Sequence, residues 1–161
     1  MRTIVIEDRD KIKEIITSCR TCFLGMASKT GEPYVLPMNF GLEDDEIILH
    51  SAPAGRMIDL LRENPKVCIT FCLGEDLAWQ NEKVACSYRM KSKSVITEGT
   101  INFIEEMDKK EECLRILLKN YSNREFKFNA PAVRNVAILK MKIKKLCAKE
   151  FGAKASTVWN P

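Results

Sequence analysis

The sequence predicts a mainly β fold, a small antiparallel barrel of about six strands with a few peripheral helices. Short apolar and β-branched runs outnumber helical patterns along the chain. The predicted strands and helices do not alternate regularly, which argues against a parallel α/β sheet. A length of 161 residues, of which 45% are apolar, suits one hydrophobic core. We therefore expect a single domain over residues 1–161, with a C-terminal tail from about residue 147.

Three segments carry the signals of helices. Asp8 can cap the first, which runs to about Cys19 and has an apolar stripe at Ile12, Ile15 and Ile16. The second covers residues 56–63 and stops before Pro65, because proline disfavours a helical conformation in the preceding residue. The third covers residues 105–121, with Glu–Lys pairs expected on its polar face at Glu105–Lys109 and Glu106–Lys110. Its predicted apolar face contains Met107, Leu114, Leu117, Leu118 and Tyr121.

Six segments have the β-branched, aromatic or alternating character of strands: residues 23–27, 34–40, 46–50, 66–73, 94–103 and 136–146. The Thr30-Gly31 turn predicts that the first two form a hairpin. Residues 42–45 are predicted to be a turn, and residues 122–131 a loop. Residues 74–92 carry few strong signals, and we expect a loop there, followed by the start of a strand.

Composition and charge argue against several classes of partner. Lys and Arg exceed Asp and Glu by 26 to 22, a net charge of +4, which is mild for a dedicated nucleic-acid binder. Lysines at positions 140, 142 and 144 alternate with apolar residues, as on the solvated face of a strand. No apolar run is long enough for a membrane-spanning helix, and the charged start MRTIVIEDRDK does not match a secretory signal. We expect a soluble cytoplasmic protein that binds neither nucleic acid nor membrane.

The seven cysteines do not predict a metal site or a disulfide framework. Their number is odd, and Cys22, Cys68 and Cys72 lie among apolar residues, where reduced cysteine acts as a small hydrophobe. The Cys19-x-x-Cys22 spacing allows a zinc interpretation, but a chain with one histidine would have to supply nearly all sulfur ligands. We expect no metal.

The junction between the third predicted strand and the second helix has the character of a small-anion site. A helix start presents unpaired backbone N–H groups and the positive end of the helix dipole. Ser51 can form a hydrogen bond there, Gly55 permits close approach of a ligand, and the Arg56 guanidinium matches phosphate geometry. An ordinary helix cap with a surface arginine is the alternative interpretation.

A second unusual segment is the proline-containing strand around Pro37, Met38 and Asn39. Proline cannot donate a hydrogen bond to a sheet, so this strand is at an edge, bulged, or paired with something other than a neighbouring strand. Backbone groups freed in this way could bind the edge of a planar heterocycle. A plain edge-strand proline is the alternative.

These segments, in this order, resemble the FMN-binding split-barrel family related to pyridoxamine 5'-phosphate oxidase. The resemblance runs through "CFLGMASKTGEPYVLPMNFG", "DDEIILHSAPAGRMIDLLRENPKVCITF" and "SVITEG" followed by a helix. The nitroimidazole-resistance subgroup is the most similar, since it shares "PY-x-x-P" on the second strand and "H-S-A" before the helix. The resemblance implies a six-stranded antiparallel split β-barrel and FMN as the cofactor.

The resemblance also implies where FMN would bind. The backbone of Pro37, Met38 and Asn39 would lie along the flavin ring, and FMN would sit between two subunits of a homodimer. The residues implied for the ribityl phosphate are Ser51, Ala52, Arg56 and Met57. Those implied for the strand that closes over the ring are Lys93, Ser94 and Val95. Family members commonly have lysine where this chain has Met57, so the phosphate would depend on backbone N–H groups, Ser51 or a more distant lysine such as Lys93.

His50, the sole histidine, is the candidate catalytic residue. The subgroup has a matching histidine, and an imidazole can deliver a proton near neutral pH. A structural histidine is the alternative. Phe151 and Trp159 could cover the ring from a partner chain or pack as a simple lid. The predicted function is an FMN-dependent reductase of small nitroaromatic or quinone-like acceptors, with NAD(P)H docking transiently because no dinucleotide fingerprint is present. The alternative is a flavin- or haem-binding carrier without turnover.

Overall fold

Eight strands and four α-helices make up residues 2–153, the part of the chain that the computed structural model describes. The strands are β1 (Arg2–Val5), β2 (Cys22–Ala27), β3 (Pro33–Met38), β4 (Phe40–Glu43), β5 (Glu46–Ser51), β6 (Lys66–Ala78), β7 (Arg89–Ile104) and β8 (Ala137–Ala153). The helices are α1 (Arg9–Ser18), α2 (Arg56–Glu63), α3 (Met107–Lys119) and α4 (Ala130–Arg134), and Ala85–Ser87 forms one 3-10 turn. The fold is mainly β and antiparallel, as the sequence predicts.

The strands form one sheet in the order β3-β2-β6-β7-β8-β5-β4, and β1 adds to β8. The two outermost strands of this order, β3 and β4, follow each other in the chain with Asn39 alone between them. The sheet must therefore curl until its two edges approach each other, which makes a barrel with a split between β3 and β4. The number of strands differs from the prediction: the sequence predicts six, and eight form within the described residues.

The core fills the inside of the curled sheet. Inward-facing residues of β2, β5, β6 and β8 pack with the buried side of α1 and α2, and the rings of Phe40 and Phe71 meet edge to face at 4.8 Å. A second cluster lies on the other face of β5 and β8, under α3, and contains Ile48, Cys113, Ile116, Leu117 and Ile138. Strand β5 is thus buried on both faces, which fixes the position of its C-terminal end.

The first two helices form where the sequence predicts them. Asp8 caps α1 by accepting hydrogen bonds from the backbone N–H groups of Asp10 and Lys11, and the predicted isoleucine stripe is buried. Helix α2 covers the predicted residues 56–63, and Asn64 follows it in an extended conformation that suits the residue before proline.

The third helix forms inside the predicted range, and of its predicted apolar face Leu117 is buried while Leu114 and Tyr121 pack beside it. The rest of the buried face is Lys110, Cys113 and Ile116. Lys110 is buried, and its Nζ donates to the carbonyl oxygen of Val136 at 2.9 Å. The expected Glu105–Lys109 and Glu106–Lys110 pairs are therefore wrong, and Lys109 pairs with Glu106 instead at 2.9 Å. A lysine is tolerated on this apolar face because its methylene groups are buried while its ammonium donates to the Val136 carbonyl.

Two strands are missing from the sequence prediction. Strand β1 was not expected at all, and it forms by pairing with β8 more than a hundred residues later in the chain. Strand β4 occupies part of the predicted turn at residues 42–45, and the chain reverses at Asp44, whose φ is 50°. Helix α4 is a further addition, at the end of the loop predicted over residues 122–131.

The predicted C-terminal tail is wrong for residues 147–153. Strand β8 continues through Ala153 because β7 and β1 both pair with it there. Phe151 lies opposite Ser92 on β7, partly exposed on the outward face of the sheet. Trp159 lies outside the described residues, so its predicted role as a lid is not addressed by the structure.

Candidate functional site

The strand-to-helix junction builds the candidate anion site. Strand β5 is paired on both sides, with β4 and with β8, so Ser51 is delivered to a fixed place. Gly55 then begins α2 with a φ of 126°, a conformation that L side chains rarely adopt. No side chain among the described residues caps this helix start. Its first N–H groups, with the positive end of the helix dipole, are free to face an anion.

Ser51 is partly committed to the backbone. Its hydroxyl donates to the carbonyl oxygen of Ala52 at 2.8 Å, while Ala52 itself is exposed. The hydroxyl proton is thus used, and the side chain holds the turn in shape. Ser51 remains at the predicted site, but as an acceptor and a support for the turn more than as a donor to a phosphate.

Arg56 joins the helix start to the edge of the sheet. Its guanidinium carbon lies 4.6 Å from the centre of the Tyr34 ring on β3, and the arginine is exposed. A cation over an aromatic face is stabilised without losing its charge. Within residues 2–153, no ion pair to a carboxylate is found for Arg56. Its charge is therefore available to an anion at the start of α2.

The side chain of Met57 faces away from this start. It is 8% exposed and packs in the main core cluster. Met57 thus anchors α2 in the core, and only its backbone N–H is left for a phosphate. The cation at the site is Arg56.

The proline-containing strand β3 is an edge strand, which is one of the three arrangements that its proline allows. β3 pairs only with β2, where Pro37 lies opposite Phe23. Pro37 is exposed, the side chain of Met38 is buried, and Asn39 is exposed at the crossing from β3 to β4. Backbone groups on the free side of β3 are available to a planar ligand.

Lys93, Ser94 and Val95 lie on the central strand β7, far from His50. His50 pairs with Ile138, which pairs with Ile104, and Lys93 is eleven residues from Ile104 along β7. At 3.3 Å per residue, this separation is about 36 Å of strand. Lys93 is exposed, Ser94 is half-buried and the side chain of Val95 is fully buried.

Pro37 and Ser94 share the outward face of the sheet, whereas Lys93 and Val95 have the opposite orientation. Pro37 is paired through Phe23 and Thr70 to Ile96, and directly paired residues project to the same side. Ser94 has the same orientation two residues along β7. Three strand spacings, about 14 Å, separate β3 from β7. The predicted ring site therefore has two halves that one protomer keeps apart.

His50 projects to the α3 side of β5. It lies two residues after Ile48 and so faces the same side of the strand, where Ile48 lies in the cluster under α3. His50 is half-buried at the end of β5. Burial lowers the pKa of its imidazole, because the charged form loses solvation. His50 is therefore mainly neutral at pH 7, with one ring nitrogen able to donate and the other able to accept.

The outward face carries a second signal that sequence reasoning did not find. Large apolar side chains are exposed on it over several strands: Phe23, Val35, Leu77, Met90, Ile96 and Phe151. Alternation within the separate strands was visible in the sequence, but strand order and register decide that these residues share one surface. We call this surface the outer apolar face. Contiguous exposed apolar area of this kind marks an interaction site.

The two thiols of the Cys19-x-x-Cys22 motif are both buried. Burial raises the pKa of the Cys22 thiol to about 12, and it also raises that of Cys19. The Cys19 thiol donates to the carbonyl oxygens of Ile15 and Cys72. Buried thiols with raised pKa values are poor nucleophiles.

A cleft of about 730 Å³ lies elsewhere on the molecule. It lies between α1, the β4–β5 turn and β8, with an apolar floor that includes Ile12 and Leu42. Its rim carries acidic and basic side chains, and Arg9 pairs with Asp45 at 3.3 Å. None of the predicted site residues lines it.

A curled antiparallel sheet that is split between two edge strands, with an open helix start beside one edge, defines the split-barrel class of protein. The model of the pyridoxamine 5'-phosphate oxidase family matches residues 8–150. The chain therefore belongs to that family, as the sequence motifs indicate.

Solved structures agree with this assignment. A proposed 5-nitroimidazole antibiotic resistance protein from Bacteroides thetaiotaomicron is 43% identical, with a TM-score of 0.84 over 92% of this chain and 87% of that one. The flavocytochrome Anf3 from Azotobacter vinelandii is 22% identical, with a TM-score of 0.80 over 96% of this chain and 72% of that one. An FAD and heme binding protein from Mycobacterium smegmatis is 14% identical, with a TM-score of 0.83 over 96% and 76% of the two chains. The last two show the shared fold. No curated protein matches the chain in sequence.

Within residues 2–153, no helix has both the length and the apolar character needed to cross a membrane.

Proposed function

We propose that the protein is an FMN-binding flavoprotein that reduces small nitroaromatic or quinone-like acceptors. The observation that carries the proposal is the uncapped start of α2, with Arg56 beside it and the free edge of β3 next to both. A dianionic phosphate fits a helix start with a free arginine, and a planar ring fits an unpaired strand edge. The residues present thus suit both ends of one FMN molecule.

In this proposal the phosphate is bound by the backbone N–H groups of Ala52 and Met57 and by the guanidinium of Arg56, while Ser51 holds the turn in shape through its bond to the Ala52 carbonyl. The backbone of Pro37, Met38 and Asn39 contacts the ring. FMN, when bound, supplies the electron-transfer chemistry. His50, neutral because burial lowers its pKa, holds a transferable proton on one ring nitrogen.

A homodimer completes the site. Lys93, Ser94 and Val95 cannot close over a ring bound at β3 of their own protomer, since two strands lie between β3 and β7. A second copy packed on the outer apolar face would bring its own β7 towards the β3 edge. The same packing would remove the exposed apolar side chains from water, which is the usual driving force for stable dimers.

The family relatives support the flavin and the acceptor class. Flavocytochrome, FAD-binding and F420 reductase proteins share the fold, and the 43% identical relative is named for a role in resistance to 5-nitroimidazoles. We expect NADH or NADPH to donate electrons transiently. The expected location of the protein in the cytoplasm is part of the same proposal.

The proposal is tested on purified protein reconstituted with FMN. Bound FMN should give a yellow protein that absorbs at about 450 nm and binds FMN more tightly than riboflavin. NAD(P)H oxidation with a panel of nitroaromatic and quinone acceptors should exceed the rate with free FMN. Protein that remains colourless after reconstitution contradicts the proposal.

A carrier of flavin or haem without turnover is the second candidate. The flavocytochrome and the heme-binding relatives share the fold, and His50 is the single imidazole in the sequence that could bind a haem iron. Protein that binds flavin or haem stoichiometrically but does not accelerate acceptor reduction would favour this candidate.

A further inference from the structure

We propose that Tyr121 is a positioning residue for the flavin-ring site and acts through the backbone at Asn39 and Phe40. The inference rests on the proposed FMN function and adds to it a residue outside the predicted site. Tyr121 follows the C-terminal end of α3, and its phenol oxygen makes two backbone hydrogen bonds. It accepts from the N–H of Phe40 at 2.9 Å and donates to the carbonyl oxygen of Arg20 at 3.0 Å.

One hydroxyl thus joins three segments that are distant in sequence. Arg20 lies in the connection between α1 and β2, and Phe40 begins β4. The guanidinium carbon of Arg20 also lies 5.9 Å from the centre of the Tyr121 ring. The hydroxyl satisfies one donor and one acceptor at the split of the barrel, where ladder pairing between β3 and β4 is lacking.

The crossing between the two edge strands is the part that needs such support. Asn39 is its only residue, and it is exposed. Pro37 and Met38, whose backbone is proposed to contact the ring, precede it directly. The conformation of the crossing therefore sets the direction in which the free edge of β3 presents its backbone groups.

Helix α3 gives Tyr121 a rigid base. A Cβ built at Gly41 would lie 2.6 Å from the Cα of Leu117, so the backbones of β4 and α3 are in direct contact. The second core cluster, with Ile116 and Leu117, packs α3 against β5 and β8. Tyr121 can therefore transmit the position of α3 to the crossing through a single short hydrogen bond.

Removal of the hydroxyl leaves the Phe40 N–H and the Arg20 carbonyl without this partner. The crossing then samples conformations that do not bind the ring, and the apparent dissociation constant rises in proportion. We expect Tyr121→Phe to weaken FMN and riboflavin binding equally, by about tenfold, if about a tenth of the molecules keep the binding conformation. An equal loss of affinity for FMN and riboflavin indicates an effect on binding of the ring, since riboflavin lacks the phosphate.

The experiment compares Tyr121→Phe with two control variants. Tyr88→Phe removes a hydroxyl that donates to the backbone carbonyl oxygen of Glu82 at 2.8 Å in the β6–β7 connection. Ile16→Val lowers overall stability through the buried side of α1. Dissociation constants for FMN and riboflavin are measured by flavin fluorescence, and Tm by calorimetry. In flavin-free protein, hydrogen exchange at the Phe40 amide should be faster in Tyr121→Phe than in either control.

Wild-type protein provides a readout that needs no variant. FMN binding should slow hydrogen exchange at the Phe40 amide, because it selects the ordered crossing. Unchanged exchange on FMN binding overturns the inference. Unchanged flavin affinities in Tyr121→Phe also overturn it. So does a loss of flavin affinity in Ile16→Val that is proportionate to its fall in Tm, because affinity would then follow overall stability. In each of these cases wild-type FMN binding leaves the proposed function standing. Wild-type protein that binds no FMN overturns both.

Discussion

At the scale of single residues, the contact between Arg56 and Tyr34 places a cation beside the start of α2. The guanidinium lies over the Tyr34 ring, and the side chain of Met57 is buried in the core. The phosphate of FMN therefore depends on one side-chain cation and the start of α2. This arrangement makes Arg56 the residue whose loss should be most informative.

Arg56→Ala should weaken FMN binding and leave riboflavin binding nearly unchanged. A hydrogen bond to a charged group contributes about 1.5–3 kcal/mol, which corresponds to about 10- to 100-fold in the dissociation constant. Fluorescence titration with both flavins measures the difference. Arg62→Ala is the matched control, because Arg62 lies in the last turn of the same helix with its guanidinium carbon 5.7 Å from the centre of the Phe103 ring. An equal loss for FMN and riboflavin in Arg56→Ala would contradict the assignment of the phosphate to this residue.

His50 should make folding stability depend on pH. Burial lowers the pKa of its imidazole below the ordinary value of 6.5, so the unfolded chain binds more protons than the folded one just below pH 6.5. The contribution of His50 to stability is complete above that pH and declines as the pH falls below it. Urea unfolding at about pH 7.5 and about pH 5.5 should show a smaller loss of stability in His50→Gln than in the wild type. Parallel losses in the two proteins would show that His50 does not titrate in this way.

At the scale of elements, the contact between β4 and α3 holds the split of the barrel. Gly41→Ala should destabilise the protein by about 1–3 kcal/mol, because the new Cβ would overlap the backbone of α3. The distances from that Cβ to the Cα and N of Leu117 are 2.6 and 2.8 Å, so neither neighbour can move as a flexible side chain would.

Chemical denaturation of Gly41→Ala measures this effect, with Gly25→Ala as a graded control. A Cβ at Gly25 would lie 3.2 Å from the carbonyl oxygen of Cys68, a milder contact, so its cost should be smaller. If Gly25→Ala cost as much as Gly41→Ala, the close approach of β4 to α3 would not be what limits position 41.

At the scale of the whole molecule, the outer apolar face is the surface that a single protomer leaves unpartnered. Ile96→Glu places a charge near its centre and should shift the protein from dimer to monomer, because a buried unpaired carboxylate is strongly unfavourable. Sedimentation velocity measures the oligomeric state without requiring flavin.

Leu146→Glu is the matched control for the dimer. Leu146 is exposed to a similar extent, 43% against 39% for Ile96, but it pairs with the inward-facing Thr97 and so lies on the opposite side of the sheet. It should leave the oligomeric state unchanged. Wild-type protein that sediments as a monomer, or a dimer that survives Ile96→Glu, would remove the proposed interface and with it the two-protomer flavin site.

The parts of the molecule that the sequence predicts well are those set by local chemistry. Asp8 caps α1, Pro65 ends α2 and the Thr30-Gly31 turn joins β2 to β3, because capping, φ restriction and turn geometry act within a few residues. The residues of the α2 start carried their own signal for the same reason. Strand β1, residues 147–153 of β8 and the buried Lys110 were not predictable in this way.

The sequence by itself thus determined the antiparallel class, the family and the helix start at Gly55 and Arg56. Tertiary structure alone decided that the β3 and β4 edges meet at Asn39, that β1 extends the sheet through residues 149–153, and that His50 and Lys93 are far apart in one protomer. The reason is that register and strand order depend on pairings between residues distant in the chain. Those pairings are selected by burial of the whole sheet, which no local segment encodes.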